Sequence, residues 1–430
     1  MRIAVHRLPG LVLTDHEFTV PLDHARPDGD TISVFCREVV KPDKENAQLP
    51  WLVFFQGGPG GASPRPKKRS GWLKKALKEY RVLLLDQRGT GRSSPVTHQT
   101  LACFDTPQAQ ADYLKHFRAD AIVKDAESIR KELVGQDEPW SGLGQSYGGF
   151  CLATYLSFAP QGLREAIFTG GLPPLKRPID EVYCATYKRV IEKNNRYYER
   201  YPDDTERVRE IVDYLEGHDT RLPNGDRLSP QRFQQLGIAF GTDDGFEKVH
   251  YLIEDAFLQG ETGREASYVF LHGFEDALHF DTAPIYAILH EAIYCQEEAS
   301  RWSAQRVRAE YPEFDLAPGK PVFFTGEMIY PWMFDEYKVL QPLKEAAEIL
   351  AAYDGWPRLY DPDALRKNTV PCAAAIYYND MYVERAFSEE TAQSIQGIKT
   401  WVTSQYEHNG LRSDGEVVLG RLLGMLHGEA

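Results

Sequence analysis

Residues 140–158 read WSGLGQSYGGFCLATYLSF, and the changes of character along that stretch decide the fold. Trp140 to Leu143 reads as a short strand. It runs straight into Gly144, Gln145, Ser146, Tyr147 and Gly148, a turn with small residues at both ends. From Gly149 to Phe158 the chain is apolar nearly all round, which suits a helix buried on every side. The turn matches G-x-S-x-G, where flanking glycines let the backbone reverse sharply and lift a serine hydroxyl clear of the sheet. The pentapeptide alone also fits a plain turn with a bystander serine. The strand before it and the apolar helix after it supply the context the motif requires.

The same rhythm recurs outward from this point. Trp51 to Phe55 is an apolar run broken by Gln56-Gly-Gly-Pro-Gly-Gly61, and Arg81 to Leu85 ends at Asp86 and a turn-rich segment through Ser94. Ile122, Ala126 and Ile129 mark a helix over 119–134, and Leu163 to Thr169 reads as another strand. Alternating strands and helices favour a mostly parallel sheet covered on both faces, an α/β fold. After Pro178 aromatic, charged, helix-periodic sequence takes over. There Val208, Ile211, Val212 and Leu215 share one face, with Asp203 or Asp204 to cap the helix and Gly217 to end it. Strands return at Pro371 to Tyr378 and Lys399 to Ser404. Ser413 and Glu416 read as the capping box of a last helix with Val418, Leu422, Met425 and Leu426 on one face. The expected organisation is a core in two parts, 1–177 and 369–430, with a mainly helical domain, 178–368, inserted between them.

Composition narrows the function classes. The 430 residues include 49 Lys plus Arg and 63 Asp plus Glu, a net charge of −14, which argues against a nucleic-acid partner. No uncharged apolar stretch of about 18 residues is present to span a bilayer. The short basic run Arg65 to Arg69 reads as a solvated loop. His6 and Arg7 interrupt what a secretion signal would need as an unbroken apolar stretch. Six cysteines, Cys36, Cys103, Cys151, Cys184, Cys295 and Cys372, are scattered without a C-x-x-C pair, as buried thiols of a reducing compartment would be. The expectation is a cytoplasmic protein.

If Ser146 is a nucleophile, it needs a histidine to take its proton and a carboxylate to orient that histidine. In this type of sheet the order is Ser, then acid, then His, on loops after later strands. Asp380 follows the strand ending at Tyr378, and His408 follows the strand ending at Ser404. Of the 12 histidines, His427 falls in the last helix, His218, His250, His272, His279 and His290 in the inserted block, and five precede Ser146, which leaves His408. Asp354, Asp361 and Asp363 compete with Asp380. Two backbone N–H donors are needed for the oxyanion of a tetrahedral intermediate. Gly57 or Gly58 can supply one and Tyr147 the other. No metal-ligand spacing or phosphate loop is present, so neither metal nor cofactor is expected.

Gln56-Gly-Gly-Pro-Gly60, Asp86-Gln-Arg-Gly-Thr-Gly-Arg-Ser-Ser94 and Gly144-Gln-Ser-Tyr-Gly-Gly149 together resemble the proline iminopeptidase (prolyl aminopeptidase) family in its longer bacterial form. Tyr378-Asn-Asp-Met-Tyr-Val383 and Glu407-His-Asn-Gly-Leu411 fall where that family places its acid and base. The commonest form of the first motif begins with His, and Gln56 stands there instead. The resemblance implies an α/β-hydrolase fold with a helical cap, and release of an N-terminal residue, typically proline, from small peptides with a free N-terminus. Such substrates bring an α-ammonium that carboxylates can hold. Glu291 resembles one of the family's cap glutamates, and Glu254 and Glu327 are candidates for its partner. The alternatives are another capped hydrolase of this superfamily, an esterase or a tripeptide-releasing enzyme, and a binding protein on the same scaffold.

Overall fold

A computed structural model describes residues 1–261, 263–278 and 280–429; His279 lies outside the described residues. Its strands are β1 (Arg2–Leu8), β2 (Leu11–Pro21), β3 (Thr31–Val40), β4 (Trp51–Phe55), β5 (Arg81–Leu85), β6 (Trp140–Gln145), β7 (Leu163–Thr169), β8 (Phe257–Gly260), β9 (Gly263–Ala266), β10 (Cys372–Tyr377) and β11 (Ile398–Thr403). Nine of them form one sheet in the order β1-β2-β3-β5-β4-β6-β7-β10-β11. From β5 to β11 every neighbouring pair is parallel, and β1, β2 and β3 extend the sheet antiparallel.

Alternate side chains of the central strands enter two cores. Val53, Phe55, Leu83 and Leu85 face one, shared with the helices Ala119–Leu133 and Tyr147–Phe158. Leu52, Phe54, Val82 and Leu84 face the other, shared with the helices Gly71–Ala76 and Gly415–His427. Cover on both faces is why these strands read as unbroken apolar runs. β2 and β3 gave no such signal. Asp15 is buried and takes a two-pronged bond from Arg37 at 2.7 and 2.9 Å, and His16 meets Glu38 at 2.9 Å, so polar residues interrupt the pattern.

Between β7 and β10 the chain is mainly helical, from the helix Ile179–Arg200 to Pro362–Arg366, with the β8–β9 hairpin as its sheet. Buried and half-buried ties fasten this segment to the rest of the chain. The Arg118 guanidinium donates to the carbonyls of Ala292, Cys295 and Pro357 at 2.7–2.8 Å. Lys193 meets Glu407 at 2.5 Å, and Arg189 grips Glu384 at 2.8 and 3.0 Å.

Four local expectations are corrected. Asp203 occupies the N-cap of the helix Asp204–Gly217 without a side-chain bond, while Asp204 is buried and accepts from Tyr197 Oη and His250. Ser413 and Glu416 form no capping box, because Gly410–Ser413 makes its own helical turn and Glu416 pairs with Lys74 at 2.8 Å. Arg65 is more than a solvated loop residue, since it pairs with the buried Asp86. Cys103 is exposed.

Arg88, fully buried after β5, bonds Asp125 Oδ2 at 2.7 Å and the carbonyls of Leu22 and His116 at 2.8 Å. Removing its counter-charge would leave a buried cation uncompensated. Asp125→Ala should cost about 3–5 kcal/mol of stability. Urea unfolding measures this, and a loss below about 1 kcal/mol would contradict the assignment.

Candidate active site

Ser146 alone makes the turn between β6 and the helix Tyr147–Phe158. Its φ of 56° and ψ of −126° lie where residues with a Cβ are strained, by about 1–3 kcal/mol. Neighbours hold it there: its N–H donates to the Thr169 carbonyl of β7 at 3.0 Å, and its carbonyl accepts from Gly149 at 2.7 Å. The helix can sit this close to β4 because Gly148 has no side chain; a Cβ there would collide with the Phe55 carbonyl.

Tyr147 begins the helix, so its N–H has no partner one turn back. Across from it runs the loop after β4. A Cβ on Gly57 would lie 2.9 Å from Ser146 Cβ, so only glycine lets this loop come so near the hydroxyl. No acceptor for the Gly57 or Gly58 N–H is present among the described residues.

His408 stands on the loop after β11, its N–H on the Gly241 carbonyl at 3.2 Å. Its Nδ1 meets Asp380 Oδ2 at 2.7 Å, and both residues are buried. Asp380 Oδ1 accepts from the N–H of Tyr382 at 2.9 Å and of Val383 at 3.0 Å, so the carboxylate is fixed from both sides. With Nδ1 engaged, Nε2 is the nitrogen left to exchange a proton. His408 and Ser146 adjoin the same turn after β7: a Cβ on Gly170 would lie 3.1 Å from His408 Nδ1, and one on Gly171 3.1 Å from Ser146 N. The rival carboxylates are occupied elsewhere. Asp361 caps the helix Pro362–Arg366, Asp363 pairs with Arg366, and Asp354 is exposed.

Above the loop after β4 sits the helix Pro284–Leu289, where a Cβ on Gly60 would lie 3.0 Å from Ile285 Cβ. Aromatic rings continue upward from the Ser146 helix: Phe150 to Tyr294 at 5.8 Å, Tyr294 to His290 at 6.1 Å, His290 to Tyr286 at 4.7 Å. Glu327 lies in this cluster, 7% exposed, its Oε2 3.4 Å from His290 Nε2, while His290 Nδ1 meets the Tyr183 hydroxyl at 3.2 Å. Burial, with the nearby Glu327 charge adding to it, pushes the phenols of Tyr286, Tyr294 and Tyr382 up. Tyr382 in turn stands edge-on to His408, ring centroids 4.7 Å apart. Glu327 thus shares the aromatic space that adjoins His408.

The other two glutamates sit differently. Glu291 is buried, but its oxygens accept from Ala304 at 2.9 Å and Ser303 at 3.2 Å, capping the helix Ser303–Arg308. Glu254 is 46% exposed, 3.5 Å from His250 Nε2, and among the described residues no hydrogen bond or ion pair links it to those around Ser146. Neither His290 nor Tyr382 was read from the sequence as a site residue. Tyr382 had a signal in lying two residues past Asp380, whereas His290 had none beyond its aromatic surroundings.

A family model described as the alpha/beta hydrolase fold matches residues 50–210. With the sheet order and the Ser146 turn, this makes the protein an α/β-hydrolase with an inserted, mainly helical cap. The chain is 50% identical over 417 residues to the proline iminopeptidase of Aeromonas sobria, covering 97% of each. It is 35% identical over 443 residues to proline iminopeptidase aneH of Aspergillus aculeatus, covering 98% of this chain and 95% of that one. The chain belongs to the proline iminopeptidase family. Among solved structures, the proline iminopeptidase of Mycobacterium smegmatis aligns with a TM-score of 0.46 at 14% identity, covering 96% of this chain and 98% of that one.

Burial raises the Glu291 carboxyl above the ordinary 4.5, against the opposing pull of the Ala304 N–H. The folded state therefore holds this proton more tightly than the unfolded chain does. Its contribution to stability is full below pH 4.5 and is lost as pH rises through the folded value. Urea unfolding of wild type and Glu291→Gln from pH 4 to about pH 7 should show the difference moving in favour of the variant as pH rises. A constant difference would contradict the burial of a charged form.

Proposed function

We propose that the protein is a serine aminopeptidase that releases an N-terminal residue, preferentially proline, from small peptides through an acyl-enzyme. The observation that carries this reading is the Asp380–His408 pair, bonded at 2.7 Å and sharing the Gly170–Gly171 turn with Ser146. The names of the near full-length relatives support the choice of substrate.

Ser146 Oγ attacks the carbonyl carbon of the first residue as His408 Nε2 takes the hydroxyl proton, with Asp380 holding the ring and its positive charge. The N–H groups of Gly57 or Gly58 and of Tyr147 receive the oxyanion. His408 then protonates the departing amine nitrogen, the C–N bond breaks, and the acyl group stays on Ser146. Water repeats the attack with His408 as base, releasing the amino acid and restoring the serine. Residues 178–368 act as the cap domain over the core parts 1–177 and 369–430. Under it Glu327 holds the substrate ammonium among the aromatic rings, Glu291 fixes the helix beside it, and Glu254 stays at the surface. The unpaired cysteines support a reducing, cytoplasmic setting. No described helix is long and apolar enough to cross a membrane.

Ser146→Ala should lower turnover of a prolyl amide by about 10⁴-fold or more with the fold intact. Turnover near wild type would end this reading. Glu327→Gln should raise KM about 10- to 100-fold for a free-amine prolyl amide and leave an N-blocked one unaffected. Equal effects on both substrates would assign Glu327 to structure; a wild-type preference for the blocked amide would count against an aminopeptidase, and a preference for a short ester would favour an esterase.

A further inference from the structure

β4 lies between β5 and β6, and its two ladders end one residue apart. The last β4–β5 pair is Phe54 with Leu84, and the last β4–β6 pair is Phe55 with Gly144. Just beyond, a side chain takes over from the backbone: Gln87 Nε2, on the loop after β5, donates to the Gln56 carbonyl at 3.0 Å. Gln87 is 2% exposed, and its own carbonyl is held by the N–H and hydroxyl of Thr90 at 3.0 and 2.8 Å. The same Nε2 lies 4.0 Å from Cys151 Sγ, so the carboxamide is lodged between the loop after β4 and the Ser146 helix.

A trans peptide group is planar, with its C=O and N–H pointing in opposite directions. Among the described residues the one cis bond is Gly58–Pro59, so the Gln56–Gly57 group is trans. Holding the Gln56 oxygen on the β5 side therefore turns the Gly57 N–H toward the β6 side, where Ser146 stands. Glycine backbone rotates freely, so this orientation needs an external restraint. The Gly57 N–H has no acceptor among the described residues.

We propose that Gln87 is the positioning residue of the oxyanion hole: its carboxamide extends the β4–β5 ladder by one side-chain rung and so selects Gly57, over Gly58, as the N–H donor opposite Tyr147. This rests on Ser146 being the nucleophile. Gln87 touches no reacting atom and acts through the peptide plane alone.

The test uses the full chain with Gln87→Met, which keeps length and burial but has no donor, and Gln87→Glu, which puts an oxygen where Nε2 was. Active enzyme is counted by titration with a phosphonylating reagent. Either variant should lose about 10- to 100-fold in kcat for a prolyl amide with KM nearly unchanged. Affinity for a prolyl boronic acid, which forms a tetrahedral adduct on a serine, should fall by a similar factor while affinity for free proline holds. Wild-type kcat and boronate affinity in a folded variant would overturn the proposal. Parallel loss of boronate and proline binding in both variants would overturn it too, because it would mark a merely structural glutamine. Ser146→Ala, run alongside, separates the two layers. If it stays active, the nucleophile reading itself has failed; if it is inactive while Gln87→Met is normal, only the role of Gln87 has.

Discussion

The strained backbone of Ser146 is the constraint on which the rest of the site depends. A residue with a side chain does not adopt φ near +56° together with ψ near −126° unless its surroundings over-determine it. Here the Thr169 carbonyl and the Gly149 N–H hold it, and Gly148 allows the helix to press against the end of β4. One geometric fact then has three results. The hydroxyl stands above the sheet, the first N–H of the helix has no partner one turn back, and the loop after β4 comes within reach of both.

The rest of the sheet delivers the partners to that point. Because β4, β6, β7, β10 and β11 run parallel, their carboxyl ends share one edge, and the loops after β4, β6, β10 and β11 meet there. Asp380 and His408 lie on two of these loops. The inserted segment closes the opening from above, with Ile285 on the loop after β4 and Gly241 on the His408 N–H. Half-buried ion pairs such as Lys193 with Glu407, the neighbour of His408, fasten it. What it brings is a desolvated carboxylate, Glu327, in a wall of phenols and one imidazole. A carboxylate removed from water in this way binds a cation more strongly than one at the surface.

The fold was legible in proportion to how fully each strand is covered. β4, β5, β6, β7, β10 and β11 lie within two residues of the runs read from the sequence, because sheet faces buried on both sides leave long apolar runs. β1 to β3 were not seen, since the ion pairs of Asp15 with Arg37 and His16 with Glu38 put charge where the pattern expects apolar residues. In the site, residues at strand ends could be placed by chain order alone. The cap glutamates could not, because nothing local says which way a helical carboxylate points. Glu291 turned to a helix N-terminus, Glu254 to the surface, and Glu327 to the aromatic cluster. Gln87 lay in a motif already singled out, but its bond to Gln56 joins two loops that only the sheet order brings together.

In the proposed reaction a prolyl group is carried on Ser146 between two half-reactions. Rapid acid quenching of the enzyme during turnover of a prolyl ester, followed by mass spectrometry and peptide mapping, tests it most directly. One prolyl group per enzyme is expected, ester-linked on the peptide that contains Ser146. An enzyme that turns over with no covalent species, or with the group on another residue, would contradict it.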